Sequence, residues 1–175
     1  LRAPLSKPQK VEPEPAKDPG ERYVVLSAGA YSGAGGRFRS EGEHSAAVQQ
    51  GLEGSLLFGS HDRSLPQAVF LEHYFRPERG FGVNLGFNFL EYAGDLQTGS
   101  IYAEFQGFLR ARGVAGAALG WAIEPRHGLH GPQLTLFWNL LYMRVNHHFG
   151  DKARGGTELT GGVLLKWRWI WARSR

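Results

Sequence analysis

The chain has 175 residues, a length that suits one domain of ordinary size, and its 42% hydrophobic and 21% charged residues exclude a compositionally disordered protein. It contains no cysteine, which excludes a disulfide framework and a thiolate metal site. A formal charge of +4 and a pI of about 9.6 fit an ordinary solvated basic surface or, more specifically, attraction to phosphate on lipid or nucleic acid, and the placement of the charges has to decide.

Residues 1–20, LRAPLSKPQKVEPEPAKDPG, hold five of the nine prolines and almost no large apolar side chain. This composition predicts an extended, disordered tail, with a tether to an envelope partner as its functional reading. The opening ten residues lack the apolar core of a signal peptide. No segment reaches the roughly 18 apolar residues of a membrane helix.

From residue 21 the pattern changes to period two, and residues 21–175 are predicted to form one β-barrel domain. The first three segments, 22–32, 48–58 and 68–76, alternate loosely. In the second, Val48, Leu52, Leu56 and Phe58 oppose Gln49, Glu53 and Ser55; in the third, Val69, Leu71 and Phe75 oppose Glu72, Tyr74 and Arg76. Residues 81–90, FGVNLGFNFL, give the clearest strand, with Phe81, Val83, Leu85, Phe87 and Phe89 on one face and glycines and asparagines on the other. Residues 101–112 place Ile101, Phe105 and Leu109 opposite Tyr102, Glu104, Gln106, Phe108, Arg110 and Arg112. In 114–123, Leu119, Trp121 and Ile123 oppose Gly116, Ala118 and Gly120. Residues 134–142 carry an apolar row of Leu134, Leu136, Trp138, Leu140 and Tyr142, and 158–171 line up Val163, Leu165, Trp167, Trp169 and Trp171 opposite Thr160, Lys166 and Arg168.

Glycine- or proline-containing breaks separate these eight segments, each short enough for an antiparallel neighbour. The fold class predicted is therefore all-β, an eight-stranded antiparallel up-and-down barrel, closed because closure removes two exposed edges. Alternation alone does not say which face points inward, but the content of the faces does. An eight-stranded interior barely holds side chains, so rows of Phe and Trp are crowded inside and unrestricted in lipid. The opposite face is rich in small residues with isolated charges of both signs, and Glu53, Glu72, Glu104, Arg110, Lys166 and Arg168 are expected to form a polar network across a narrow lumen. Trp121, Trp138, Trp167, Trp169 and Trp171 are expected at the lipid interface, where an apolar ring with one hydrogen-bond donor is favoured. The expected span is a transmembrane one.

Gly162, Leu165 and Trp167 resemble the assembly signal on the terminal strand of bacterial outer-membrane barrels, a polar residue, Gly, two residues, an apolar residue, one residue and an aromatic. Gly161 fills the polar slot here, and the chain continues past Trp171. With its eight strands, the region 22–171 resembles the small eight-stranded outer-membrane barrels of the OmpA/OmpX type. The resemblance implies an integral protein of a Gram-negative outer membrane with its N-terminal tail in the periplasm. The outer connections then fall at 33–47, 77–80, 111–113 and 150–157, two of them very short, which speaks against an adhesin-like role.

Arg37, Arg39, Arg76, Arg79, Arg110, Arg112, Arg144, Lys152 and Arg154 are assigned to those outer ends, where arginine meets lipopolysaccharide phosphate as a bidentate donor. His147, His148 and Glu158 form the candidate set of an enzymatic alternative, a lipid A acyl hydrolase. Such enzymes carry a serine two residues after the histidine, and here those positions are Phe149 and Gly150. Adjacent strand residues face opposite ways, so His147 and His148 are not expected to share a metal, and no metal or cofactor is expected. The basic residues do not share a face with stacking aromatics, which removes nucleic acid as a partner. Eight strands with charged pairs inside leave no permeation path. The expected function is a structural or scaffold role with outer-membrane lipid, lipopolysaccharide or a partner protein as ligand, with the hydrolase and a soluble lipocalin-like carrier as alternatives.

Overall fold

Side chains that alternate between two environments require extended backbone, and the chain supplies such backbone eight times. A computed structural model describes residues 21–39, 44–61, 79–93, 96–110, 114–150 and 154–174. The strands are β1 (Glu21–Arg39), β2 (Ser45–His61), β3 (Arg79–Ala93), β4 (Leu96–Arg110), β5 (Val114–Glu124), β6 (Leu129–Trp138), β7 (Leu141–His148) and β8 (Gly156–Ser174). Each pairs antiparallel with the next and β1 pairs with β8, so the eight-stranded all-β sheet closes into an up-and-down barrel with no free edge. Residues 1–20 and the expected strand at 68–76 lie outside the described residues.

The strand count is as expected, but two boundaries are not. Residues 134–142 are no single strand: β6 ends at Trp138, Asn139 takes a left-handed backbone conformation with φ 53°, and β7 starts at Leu141. Asparagine tolerates this region better than most residues, so it makes the turn. The turn shifts the parity of the inward face, and Tyr142, expected beside Trp138 on the apolar row, is buried inside the barrel. The glycine-rich run after residue 32, expected to be a loop, continues β1 to Arg39. A Cβ at Gly35 would collide with the Leu159 carbonyl of β8, so the small residue permits close pairing there.

β2 pairs directly with β3, where the sequence predicts a further strand at 68–76 between them, and this exchanges the ends of the strands that follow. The β1–β2, β3–β4, β5–β6 and β7–β8 connections lie at one end, called here the far end, and the start of β1 and the end of β8 lie at the other. The positions that begin β3 and end β4, Arg79 and Arg110, therefore belong to the end opposite Arg37 and Arg39. The outer connections expected at 77–80 and 111–113 are corrected accordingly.

The exterior is apolar. Phe81, Val83, Leu85, Phe87 and Phe89 of β3 are all exposed, Leu85 to 60%, and the inward Asn84 and Asn88 are buried to within 2%. Inside, Val25, Leu57 and Phe108 form a small apolar cluster. Phe137 joins it to a second cluster of Tyr31, Tyr102, Ala122, Tyr142 and Leu164. The interior rings fit because glycines lie under them: a Cβ at Gly86 would strike the Tyr102 ring, and one at Gly51 the Tyr31 ring, each directly opposite across a strand pair.

Candidate functional site

Strand alternation sends Glu53, Glu104, Arg144 and Lys166 into the lumen, where two carboxylates meet two cations. Glu53 is paired with Lys166, accepts hydrogen bonds from the Tyr102 hydroxyl at 2.9 Å and Asn84 Nδ2 at 3.1 Å, and lies 3.8 Å from Arg144. Glu104 accepts from Asn84 at 3.0 Å and from Gln133 and Thr135, each at 2.6 Å. The Arg144 guanidinium, 1% exposed, donates to Thr135 and to the Tyr102 hydroxyl at 3.1 Å each. The rings of Tyr102, Tyr31 and Tyr142 surround it at 4.4, 4.7 and 5.4 Å. A charge this deeply buried persists only when paired and hydrogen-bonded, and the tyrosine faces supply further negative potential.

A second polar cluster lies closer to the far end. Arg37 donates to Glu91 at 2.7 Å and through Nε to Glu158 at 3.1 Å, with Nη2 at 2.9 Å from the same Glu158 oxygen, so two carboxylates share one guanidinium. Gln49 also donates to Glu158, and Thr160 donates to Gln49 at 3.1 Å. Asn88 and Ser100 reach Glu91 at 3.5 and 3.2 Å, and the Tyr31 hydroxyl donates to Asn88, which links the two clusters. His148, the last residue of β7, brings its ring to the same place: one nitrogen and one oxygen from each of Glu91 and Glu158 lie within 4.8 Å of one another. His148 is 3% exposed, and neither ring nitrogen has a hydrogen-bond partner among the described residues. Asn146, directly opposite Glu158 in the β7–β8 ladder, is also buried with its Oδ1 unpartnered.

The expected lumen residues Glu53, Glu104 and Lys166 meet in one network. Arg110 and Arg168 occupy strand positions in β4 and β8, and Glu72 lies outside the described residues. Of the expected interface tryptophans, Trp121, Trp138 and Trp167 are exposed to 46, 55 and 55%, and Trp169 and Trp171 continue β8. Trp121 stacks on His130 at 5.9 Å. Arg37 and Arg144, assigned to the outer anion-binding surface, are instead buried inside, Arg37 because it faces inward opposite Glu158 in the β1–β8 ladder. Arg39 and Arg154 lie at the far end, and Arg79 begins β3 at the other. Arg76, Arg112 and Lys152 lie outside the described residues.

The candidate hydrolase residues are divided between two faces. His147 is only partly buried and its Nδ1 lies 2.9 Å from the Thr157 hydroxyl, while His148 and Glu158 are inside. The divided set does not assemble a nucleophile, a base and an orienting acid in one place. Sequence reasoning missed Glu91 because a bulge between Asn88 and Glu91 changes the parity of β3 and turns Glu91 inward. It missed Arg144 for the corresponding reason at the Asn139 turn. Comparison with family models, with curated proteins and with solved structures gives no match to this chain.

Proposed function

We propose that the chain is an integral outer-membrane β-barrel of a Gram-negative cell envelope, with a structural or scaffold role and no permeation path. The observation that carries this reading is the inversion of the barrel's two faces. Leucines, phenylalanines and tryptophans point outward, while Glu53, Glu104, Arg37 and Arg144 are enclosed. Lipid rewards that arrangement; water penalises contiguous apolar surface of this extent. The β3 row from Phe81 to Phe89 rises about 27 Å along the strand, or about 21 Å along an axis tilted about 40°, close to the roughly 25 Å apolar band of such barrels.

With the N-terminal tail in the periplasm, the far end, which carries Arg39 and Arg154, would face lipopolysaccharide. Residues 1–20 would then extend into the periplasm toward an envelope partner. A soluble carrier needs an apolar, accessible interior, and tyrosines and ion pairs fill this one. The test is fractionation followed by gel mobility with and without boiling in SDS. Retention in washed membranes and a mobility shift on boiling are expected. Release into the soluble fraction with no shift overturns the proposal.

A further inference from the structure

Among the described residues, two carboxylates that share one guanidinium and a buried imidazole without a hydrogen-bond partner are complementary deficits, and Glu91, His148 and Glu158 bring them together. We propose that these three side chains form a binding site for a divalent transition-metal ion of the zinc type, near the far end of the barrel. The ligand set of one imidazole and two carboxylates is borderline between soft and hard. It favours zinc-like ions over Mg²⁺ and Ca²⁺, which take oxygen alone.

The geometry is close to that of a bound site. Bonds of about 2.1 Å in a tetrahedron place ligand atoms about 3.4 Å apart. The three atoms already lie within 4.8 Å of one another, so side-chain rotations of about an ångström close the set. The strands are held by the barrel ladders: Glu158 pairs with Asn146 across β7–β8, and Glu91 pairs with Gln49 across β2–β3. Neighbours already orient the carboxylates, with Gln49 on Glu158 and Ser100 on Glu91, as outer partners of a metal site do. Asn146, directly opposite Glu158 in the ladder and with its buried Oδ1 unpartnered among the described residues, offers an oxygen as a fourth ligand.

Arg37 is the argument against the site, since its guanidinium already bonds both carboxylates. Two carboxylate oxygens offer about four acceptor positions; Arg37 and Gln49 on Glu158, and Arg37, Asn88 and Ser100 on Glu91, leave about one of them free on each carboxylate. Arg37 also makes no hydrogen bond to either nitrogen of His148, and with donors only it cannot accept from the imidazole N–H. It therefore acts as a competing cation that sets the affinity and as an outer partner once the metal is in place. This site lies inside the barrel and does not depend on what the outer face meets.

The experiment is a calorimetric titration of Zn²⁺ into the full chain folded in detergent and freed of metal by a chelator, with Mg²⁺ and Ca²⁺ titrated in parallel. One Zn²⁺ per chain is expected, with Mg²⁺ and Ca²⁺ binding more weakly. His148→Gln is expected to weaken Zn²⁺ by at least about tenfold, since loss of an outer partner alone costs that much. This variant removes an imidazole that makes no hydrogen bond among the described residues, so it should fold, and the boiling gel checks that it does. His147→Gln, on the outward-facing neighbour, is expected to leave the affinity unchanged. Absence of stoichiometric Zn²⁺ binding by the wild-type barrel overturns the proposal, as does an equal affinity in His148→Gln. A measurement free of variants is Co²⁺ added to the wild type. Paramagnetic shifts of the His148 ring protons are expected, and shifts confined to other histidines overturn the assignment.

Discussion

A single arginine placed at different heights on the outer face of β3 reads directly what that face touches. Leu85 is 60% exposed and sits midway along the row from Phe81 to Phe89. Four residues separate it from each end, about 10 Å of axial rise at a tilt of about 40°. In a bilayer, Leu85→Arg is therefore expected to cost about 2–4 kcal/mol, and arginine at Phe81 or Phe89 about 0–1 kcal/mol. In water the same three substitutions stay within about 0.5 kcal/mol of one another. Each arginine variant is compared with alanine at its own position, because Phe81 also loses ring contacts with Phe58 at 5.7 Å and Phe105 at 6.2 Å. The assay is denaturant unfolding in phospholipid vesicles, followed by tryptophan fluorescence. A flat profile across the three positions refutes the claim that this face lies in lipid.

Arg144→Leu is expected to destabilise the barrel by about 3–5 kcal/mol in the same unfolding assay, because it leaves the buried Glu53 and Glu104 with a single cation, Lys166, between them and empties the tyrosine cage. Adding Glu53→Gln to it is expected to recover part of that loss, and a single-variant cost below about 1 kcal/mol would contradict the assigned role of the cage. Gly86→Ala is expected to cost about 1–3 kcal/mol, because its methyl group meets the Tyr102 ring, whose hydroxyl is held by Glu53 and Arg144. Gly107→Ala, where an added Cβ meets nothing within 4 Å, should stay within about 0.5 kcal/mol, and equal costs at the two glycines would remove the argument that Gly86 seats a ring.

Alternation made the barrel and its inverted faces legible wherever a strand keeps one parity. Phe81 to Phe89 and Ile101 to Phe105 read outward in the sequence and lie outward in the structure. Two interruptions hid the rest. Asn139 turns the chain inside a segment whose apolar residues keep recurring at every second position on both sides of it, so alternation read the boundary between β6 and β7 as one strand. The bulge before Glu91 inserts a residue without a proline or glycine to announce it. Both parity changes deliver charged side chains to the lumen, Arg144 in one case and Glu91 in the other. The cluster at the far end was illegible for a further reason: Glu91, His148 and Glu158 become neighbours only when the sheet closes.

The two interior clusters differ in a way that stability alone does not explain. In the first, Glu53 and Glu104 are matched by Lys166 and Arg144, and tyrosines enclose the arginine; every charge has an opposite within the group. A buried ion pair adds little over a well-packed apolar core of the same shape, but strand alternation that sends the large apolar side chains outward leaves polar side chains to fill the interior. The matched cluster does so and also blocks the lumen. Among the described residues, the far cluster leaves two carboxylates on one guanidinium and an imidazole with both nitrogens unpartnered. A buried group left without a partner costs about 1–3 kcal/mol, and leucine in place of His148 would remove that cost. Packing gives no reason to retain a histidine there, whereas a cation that joins β3, β7 and β8 does.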